Sequence, residues 1–251
     1  MDRTEKEGDS RENRLQARPL YLLNPYLKEF EASVAKADRT YVVLDQTAFY
    51  PSSGGQPSDK GVMERVSDHK VFGVVYVGKF DGVISHEVDQ LGLQAGDRVR
   101  CRIDWPRRHL FMRYHTAAHV LSAIIHKETG AMITGNQIAE DKTRIDFSLE
   151  EFSKDKIFSY ADKANLLMGQ GLGVHFSFLS RHEVESDPHL VKLAKGMPQE
   201  IQEFRIVDIE GLDRQACGGC HVKNTSEIGK LHVKDIENKG RSNRRVYFTV
   251  D

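Results

Sequence analysis

Two short patterns, a hundred residues apart, constrain this chain more than anything else in it. One is His115-Thr116-Ala117-Ala118-His119 and the other Cys217-Gly218-Gly219-Cys220-His221. Together His115, His119, Cys217 and His221 offer three imidazoles and one thiolate, a good tetrahedral set for one Zn2+ per chain. Any fold that uses them must bring two distant segments to one point. Residues four apart on a helix share a face at about 6 Å, so His115 and His119 can grip one ion. His126 shares their stripe but lies roughly 10 Å further along the axis, out of reach. Gly218 and Gly219 permit positive φ and a tight turn, which would let Cys217 and His221 converge. Thr116 stands where a metalloprotease places its Glu, so that mechanism is disfavoured. The second pattern also spells a c-type haem attachment motif, which needs an export signal that the sequence does not offer. Four protein ligands usually describe a closed, structural site, and that reading stays open beside a catalytic one.

The 251 residues carry a net charge of -1, so nothing draws the whole chain to a polyanion. Nucleic-acid contact would need local patches. Lys239-Gly240-Arg241-Ser242-Asn243-Arg244-Arg245 is one candidate, against the plainer reading of a solvated turn between strands. Arg107, Arg108 and Arg113 could touch phosphates or equally form surface ion pairs. Three cysteines make no disulfide framework, and Cys101 stands alone in a strand-like run. The charged opening of the chain reads as a mobile tail with no signal peptide. No apolar run approaches the ~20 residues of a membrane helix. The expected location is the cytoplasm, with no membrane partner.

Residues 20–34 mix a short apolar run with a helical pattern (Tyr26, Leu27, Phe30, Val34). Residues 40–105 hold short β-branched runs separated by Gly, Asp and Ser turns, the texture of a small barrel or sandwich. Pro106 opens a new regime. Residues 107–127 read as a helix with Leu110, Tyr114, Ala117, Leu121 and Ile124 on one face and Gly130 at its C-terminal end. A strand over 143–147, a helix over 152–168 and a strand over 174–179 follow. An irregular stretch with Pro188 and Pro198 then leads to strands at 204–209, 230–236 and 245–250. The expected class is α+β, with helices on a largely antiparallel sheet. The expected organisation is a mobile tail over 1–19, a β-barrel over 20–105 and a metal-binding domain over 106–251.

With these residues in view, the second half resembles the editing domain of alanyl-tRNA synthetase, and the whole chain resembles the free-standing alanyl-tRNA editing proteins, the AlaX group. The matching strings are the glycine-rich run from Thr47 to Gly61, Asp104-Trp105 with Arg108 to Arg113 and the first histidine pair, and Cys217-Gly-Gly-Cys-His-Val222 with Asn224-Thr225 and Glu227-Ile228-Gly229. The likeness runs from about Leu20 to the end. One departure is Cys220, where the family usually has Thr; Cys217 and His221 keep the ligand positions. A barrel half followed directly by the metal domain, with neither an oligomerisation segment nor an aminoacylation domain, resembles the medium-length group. The fold this implies is a translation-factor-like barrel joined to an α+β editing domain.

The resemblance implies hydrolysis of the ester between tRNA(Ala) and a wrong amino acid, chiefly serine, with glycine as a second target and Ala-tRNA(Ala) spared. An alanine pocket rejects such rivals by only about 1–3 kcal/mol, so a second, hydrolytic sieve is useful. Thr134, Asn136 and Gln137 are candidates for the serine-hydroxyl contact and pocket walls, against a plain reading as a polar loop with a Gly turn. Gly54, Gly55 and Gln56 form a loop that the resemblance brings to the pocket; read alone, they would be a β-turn. Asp213 could orient a metal-bound histidine, although an Asp there more often caps a turn. The zinc would either activate water or the ester carbonyl, or orient the tRNA end. A non-catalytic RNA-binding module with a structural zinc is the alternative, and a zinc hydrolase of small metabolites a third reading. A monomer is expected.

Overall fold

The computed structural model describes residues 17–150, 153–194, 199 and 201–251. Most of the expected tail, with Phe152 and Pro198, lies outside them. The end of that tail is ordered: Ala17 is buried, and Arg18–Pro19 pairs in parallel with Gln46–Thr47. The chain divides into two compact units. One comprises the described residues up to Ser53 with Pro57–Arg108, the other Gly54–Gln56 with His109–Asp251.

The first unit is a closed barrel of six antiparallel strands. They are β1 (Glu29–Asp38), β2 (Tyr41–Leu44), β3 (Gly61–Arg65), β4 (Val71–Phe80), β5 (Val83–Val88) and β6 (Arg98–Ile103), paired in the order β1-β2-β5-β4-β3-β6 and closed by β6 on β1. Strict alternation explains β6: Arg98, Arg100 and Arg102 face out while Val99, Cys101 and Ile103 face in. Buried as it is, the Cys101 thiol is pushed up and stays protonated. The helical pattern expected over residues 26–34 is overturned. Phe30, Ala32 and Val34 are buried at every second position, and β1 finds backbone partners on both sides, so the two-residue period prevails. Only Leu20–Leu23 forms a helical turn there.

Two buried polar devices hold this unit. His86 lies wholly inside the barrel; its Nδ1–H donates to Val42 O (2.9 Å) and its Nε2 accepts from Thr47 Oγ1 (2.8 Å). Burial pushes its pKa down to about 4. The second device is Arg108 on Asp59. Both side chains are inaccessible, and the guanidinium makes Nε contacts of 2.9 and 3.0 Å to the carboxylate, with Nη1 donating to Pro25 O at 2.8 Å and Nη2 to Ala48 O at 2.5 Å. Asp59 also accepts from Tyr50 N at 2.6 Å.

Helix α1 (Trp105–Thr129) follows β6 and leads into the second unit. Asp104 caps its start by accepting from Arg107 N at 3.3 Å, and Gly130, at φ 71°, ends it. Next come β7 (Ile133–Ile138), β8 (Thr143–Phe147), α2 (Lys154–Met168), β9 (Val174–Ser180), α3 (Arg181–Glu185), β10 (Glu203–Ile209), β11 (Asp213–Ala216), β12 (Leu231–Asn238) and β13 (Arg244–Val250). They form two antiparallel sheets, β12-β13-β8-β7 and β9-β10-β11. The four-stranded sheet buries Ile145, Phe147, Val246 and Phe248, with the Phe248 ring 6.1 Å from that of Tyr114 on α1. The three-stranded sheet buries Phe204 and Ile206 against Val184 and Leu190. The class is α+β, as expected.

His86 makes the barrel acid-sensitive. An unfolded imidazole titrates near 6.5. Its depressed pKa in the fold therefore leaves stability intact above that value and removes up to about 3 kcal/mol as pH falls from ~6.5 to ~4. The urea-midpoint difference between wild type and His86→Gln is expected to narrow through that window; a constant difference would refute the assignment. Asp59→Ala strands a buried guanidinium and is expected to cost about 3–5 kcal/mol in chemical denaturation. Asp68→Ala, which breaks the surface pair with Arg65, is expected to leave the urea midpoint nearly unchanged.

Candidate metal centre

Helix α1 presents His115 and His119 one turn apart, and the segment after β11 presents Cys217 and His221. One donor atom from each of the four lies within 4.8 Å of all the others. Cys217 Sγ is 3.5 Å from His115 Nε2 and 3.4 Å from His221 Nε2. A tetrahedral zinc with Zn–S near 2.3 Å and Zn–N near 2.05 Å would separate S from N by about 3.6 Å. The cluster therefore encloses a space of the size a zinc ion needs.

The outward-facing nitrogens explain why the inner ones converge. His115 Nδ1–H donates to Gln56 Oε1 at 2.8 Å. Thr116 Oγ1 gives its proton to Met112 O (2.9 Å), so it accepts from His221 Nδ1–H at 3.2 Å and from Val222 N at 3.2 Å. Asp213 Oδ2 lies 3.2 Å from His119 Nδ1, and the Gln215 amide is 2.8 Å from the same nitrogen. With Nδ1 of His115 and His221 donating outward, their Nε2 lone pairs face the thiolate, the tautomer a metal requires, and His119 joins them once it gives up its extra proton.

Electrostatics point the same way. Burial alone would raise the Cys217 thiol, but His115, His221 and His119 around it bring it well below its ordinary value. Burial opposes charge on His119 too, yet the Cys217 thiolate and Asp213 hold it up, at about 9. Burial would likewise raise Asp213; His119 and Lys192, which is in direct contact with it, keep it ionised. His221 is pushed well down by burial and by its two histidine neighbours. A cation in the centre would relieve the repulsion among the rings and replace the proton on His119.

Two kinds of comparison bear on this geometry. The family model described as tRNA synthetases class II (A) matches residues 5–107, and that described as the threonyl and alanyl tRNA synthetase second additional domain matches residues 204–247. The alanyl-tRNA editing protein AlaX-M of Methanosarcina acetivorans is 54% identical over 239 residues, covering 92% of this chain and 98% of that relative. AlaX-M of Saccharolobus solfataricus is 40% identical with the same coverage. The chain belongs to the AlaX-M family. It also matches the alanine–tRNA ligase of Pyrococcus abyssi, 37% identical over 93% of this chain but only 26% of the ligase.

Beyond the four donors, residues expected to matter in this AlaX-M chain fall in unequal places. The glycine-rich loop at 54–56 groups with the second unit. Gly54 and Gly55 have φ of 56° and 83°, and Gly55 O accepts from Ile138 N at 2.7 Å. Gln56 is buried; its Oε1 serves His115 and also accepts from Cys220 N at 3.3 Å. Thr134, Asn136 and Gln137 lie on strand β7, not on a polar loop. A side chain on Gly55 would collide with Asn136, which therefore stands directly against the glycine-rich loop. Thr134 Oγ1 donates to Asn243 Oδ1 at 3.0 Å. Strand alternation turns the exposed Gln137 to the opposite face, where it accepts from Arg144 at 3.1 Å.

Several expectations need correction. Neither Gly218 nor Gly219 has positive φ; Gly219 is required because a methyl there would run into the His115 ring, while Gly218 has open space. Cys220 is buried outside the four-donor group. Arg108 is buried on Asp59, which takes it from phosphates and from surface pairs alike; Arg113 is half-buried and donates to Ile228 O at 2.7 and 3.0 Å, and Arg107 donates to Ser58 O at 3.4 Å. In the 239–245 patch, Arg244 is buried with its guanidinium on Asn238, Gly240 and Glu150, and Arg245 grips Asp146 at 2.7 and 2.8 Å. The plain turn reading fits Arg244 and Arg245, while Lys239 pairs with Glu237 at 2.6 Å and Arg241 stays exposed. Sequence reasoning missed Thr116 and Gln215. The second had a signal, since Asp213, Gln215 and Cys217 alternate and must share a strand face.

Gly219→Ala is expected to displace the His115 ring and lower zinc affinity at least about tenfold, and Gln56→Leu to lower it by a similar factor, as loss of a partner to a ligating His does. Gly218→Ala is expected to leave it unchanged. Competition with a chromophoric chelator measures all three.

Proposed function

We propose that this chain is a trans-acting editing hydrolase that deacylates Ser-tRNA(Ala), with Gly-tRNA(Ala) as a second substrate, and spares Ala-tRNA(Ala) in the cytoplasm. The observation that carries this reading is the three-histidine, one-cysteine cluster with the glycine-rich loop hydrogen-bonded to it, in a chain of the AlaX-M family. His115, His119, Cys217 and His221 would hold Zn2+. A zinc ion there supplies Lewis acidity to an ester carbonyl or a water molecule. Gln56 and Asp213 keep the His115 and His119 rings in the binding tautomer, and Thr116 does the same for His221.

Discrimination falls to polar groups near the loop. Asn136, against Gly55, and Thr134, at the bulge of the same strand, are the candidates for meeting the serine hydroxyl; Gln137, on the face opposite Asn136, is held by Arg144. A polar group enclosed by the bound substrate would be left unpaired by an alanyl ester, at about 1–3 kcal/mol, which is a 5- to 150-fold preference.

With the purified chain, the serine ester of tRNA(Ala) is expected to disappear at least about tenfold faster than the alanine ester. 1,10-Phenanthroline should abolish the difference and added Zn2+ should restore it. Equal lifetimes of the two esters in the zinc-loaded protein would overturn the proposal.

A further inference from the structure

The three-stranded sheet has two unlike faces. Leu179, Phe204, Ile206 and Ala216 face the small apolar cluster around Val184 and Leu190. On the opposite face Phe178 pairs with Arg205, and Phe176 with Val207, which pairs in turn with Gln215. Cys217 continues this register, since its N–H donates to Arg205 O at 2.9 Å, so the thiolate donor belongs to the same face. A row of aromatic, cationic and metal-binding side chains therefore crosses one side of the sheet.

Phe176 has no place in either core. It is 39% exposed on the edge strand β9, between the exposed His175 and Ser177. The buried Arg205 guanidinium lies 4.6 Å from its ring centroid and donates to Cys217 O at 3.2 Å and Gly219 O at 2.9 Å. One cation thus fixes the ring and the ligand-bearing turn together. Phe178 meets the ring edge-on at 6.2 Å. Two strand spacings, about 10 Å, separate β9 from the strand carrying Cys217. Val174 N donates to Lys223 O at 2.9 Å, which sets the exposed Lys223 beside the start of β9.

An aminoacyl-tRNA carries its ester on the terminal ribose, whose base is unpaired. Once the carbonyl reaches the metal cluster, that base must rest within one nucleotide of it. A partly exposed ring backed by a guanidinium, with a lysine alongside for phosphate, has the chemistry of a single-strand stacking platform. We propose that Phe176, held by Arg205, stacks the terminal adenine of the substrate. This rests on the aminoacyl-tRNA reading above and adds the subsite for the nucleotide.

Phe176→Leu keeps apolar bulk and removes the ring; Phe176→Trp keeps a ring. With Ser-tRNA(Ala), the Leu variant is expected to raise KM about 5- to 100-fold with kcat within about twofold, at unchanged zinc content, and the Trp variant to restore KM. A tRNA minihelix ending in 2-aminopurine gives a second readout, in which wild type and the Trp variant quench the terminal fluorophore and the Leu variant does not. A Leu variant with wild-type KM and quenching would overturn the stacking proposal while leaving the hydrolase reading intact. Loss of zinc or of the fold in the Leu variant, with wild-type quenching in a milder Phe176→Met variant, would also overturn it by making Phe176 structural. Failure of the wild type to cleave either ester would remove both.

Discussion

A thiolate and three imidazoles crowded into one buried point is the constraint around which the second unit is organised. Without a cation such a cluster is unfavourable, because burial opposes every charge it might carry. The surroundings compensate from outside. Gln56, Thr116 and Asp213 each stand against a different Nδ1. Arg205 holds the carbonyls of Cys217 and Gly219, and the bare backbone of Gly219 lies against the His115 ring. Each of these contacts helps to set the direction in which a candidate donor points, so positions outside the donor set shape the cluster.

The glycine-rich run shows how neighbouring residues divide their work. Asp59 is structural, locked on Arg108 inside the first unit. Three positions earlier, Gln56 belongs to the second unit and touches a metal donor and the backbone of Cys220. Between them the chain changes allegiance. The positive φ at Gly54 and Gly55 makes that local path possible, and only at Gly55 would a side chain also meet a neighbour.

How much of this was legible beforehand depends on the reach of the interaction. The histidine pair was readable because helical spacing is local, and helix α1 with its Gly130 terminus followed from periodicity. The barrel strands announced themselves by short β-branched runs between turn residues, as at 99–103. Residues 26–34 misled because Phe30 and Val34 fit a helical stripe as well as a strand, and only pairing with β2 and β6, far along the sequence, decides. The arginines stayed undecided for a related reason: a side chain's charge is visible in the sequence, but the carboxylate or carbonyl that consumes it is not. Arg108 and Asp59 lie 49 positions apart, and Arg245 and Asp146 lie 99 apart. The aromatic edge of β9 was unreadable because its meaning depends on register with β10 and β11.

The separation of the donors also has a kinetic side. His115 and Cys217 are 102 residues apart. At ribosomal rates of roughly 5–20 residues per second, the histidine pair emerges about 5–20 s before its partners. Over that interval helix α1 can offer only a two-point grip to a passing ion, and a four-point grip waits until Cys217 and His221 have emerged. A nascent product stalled before Cys217 would carry only two of the four candidate donors.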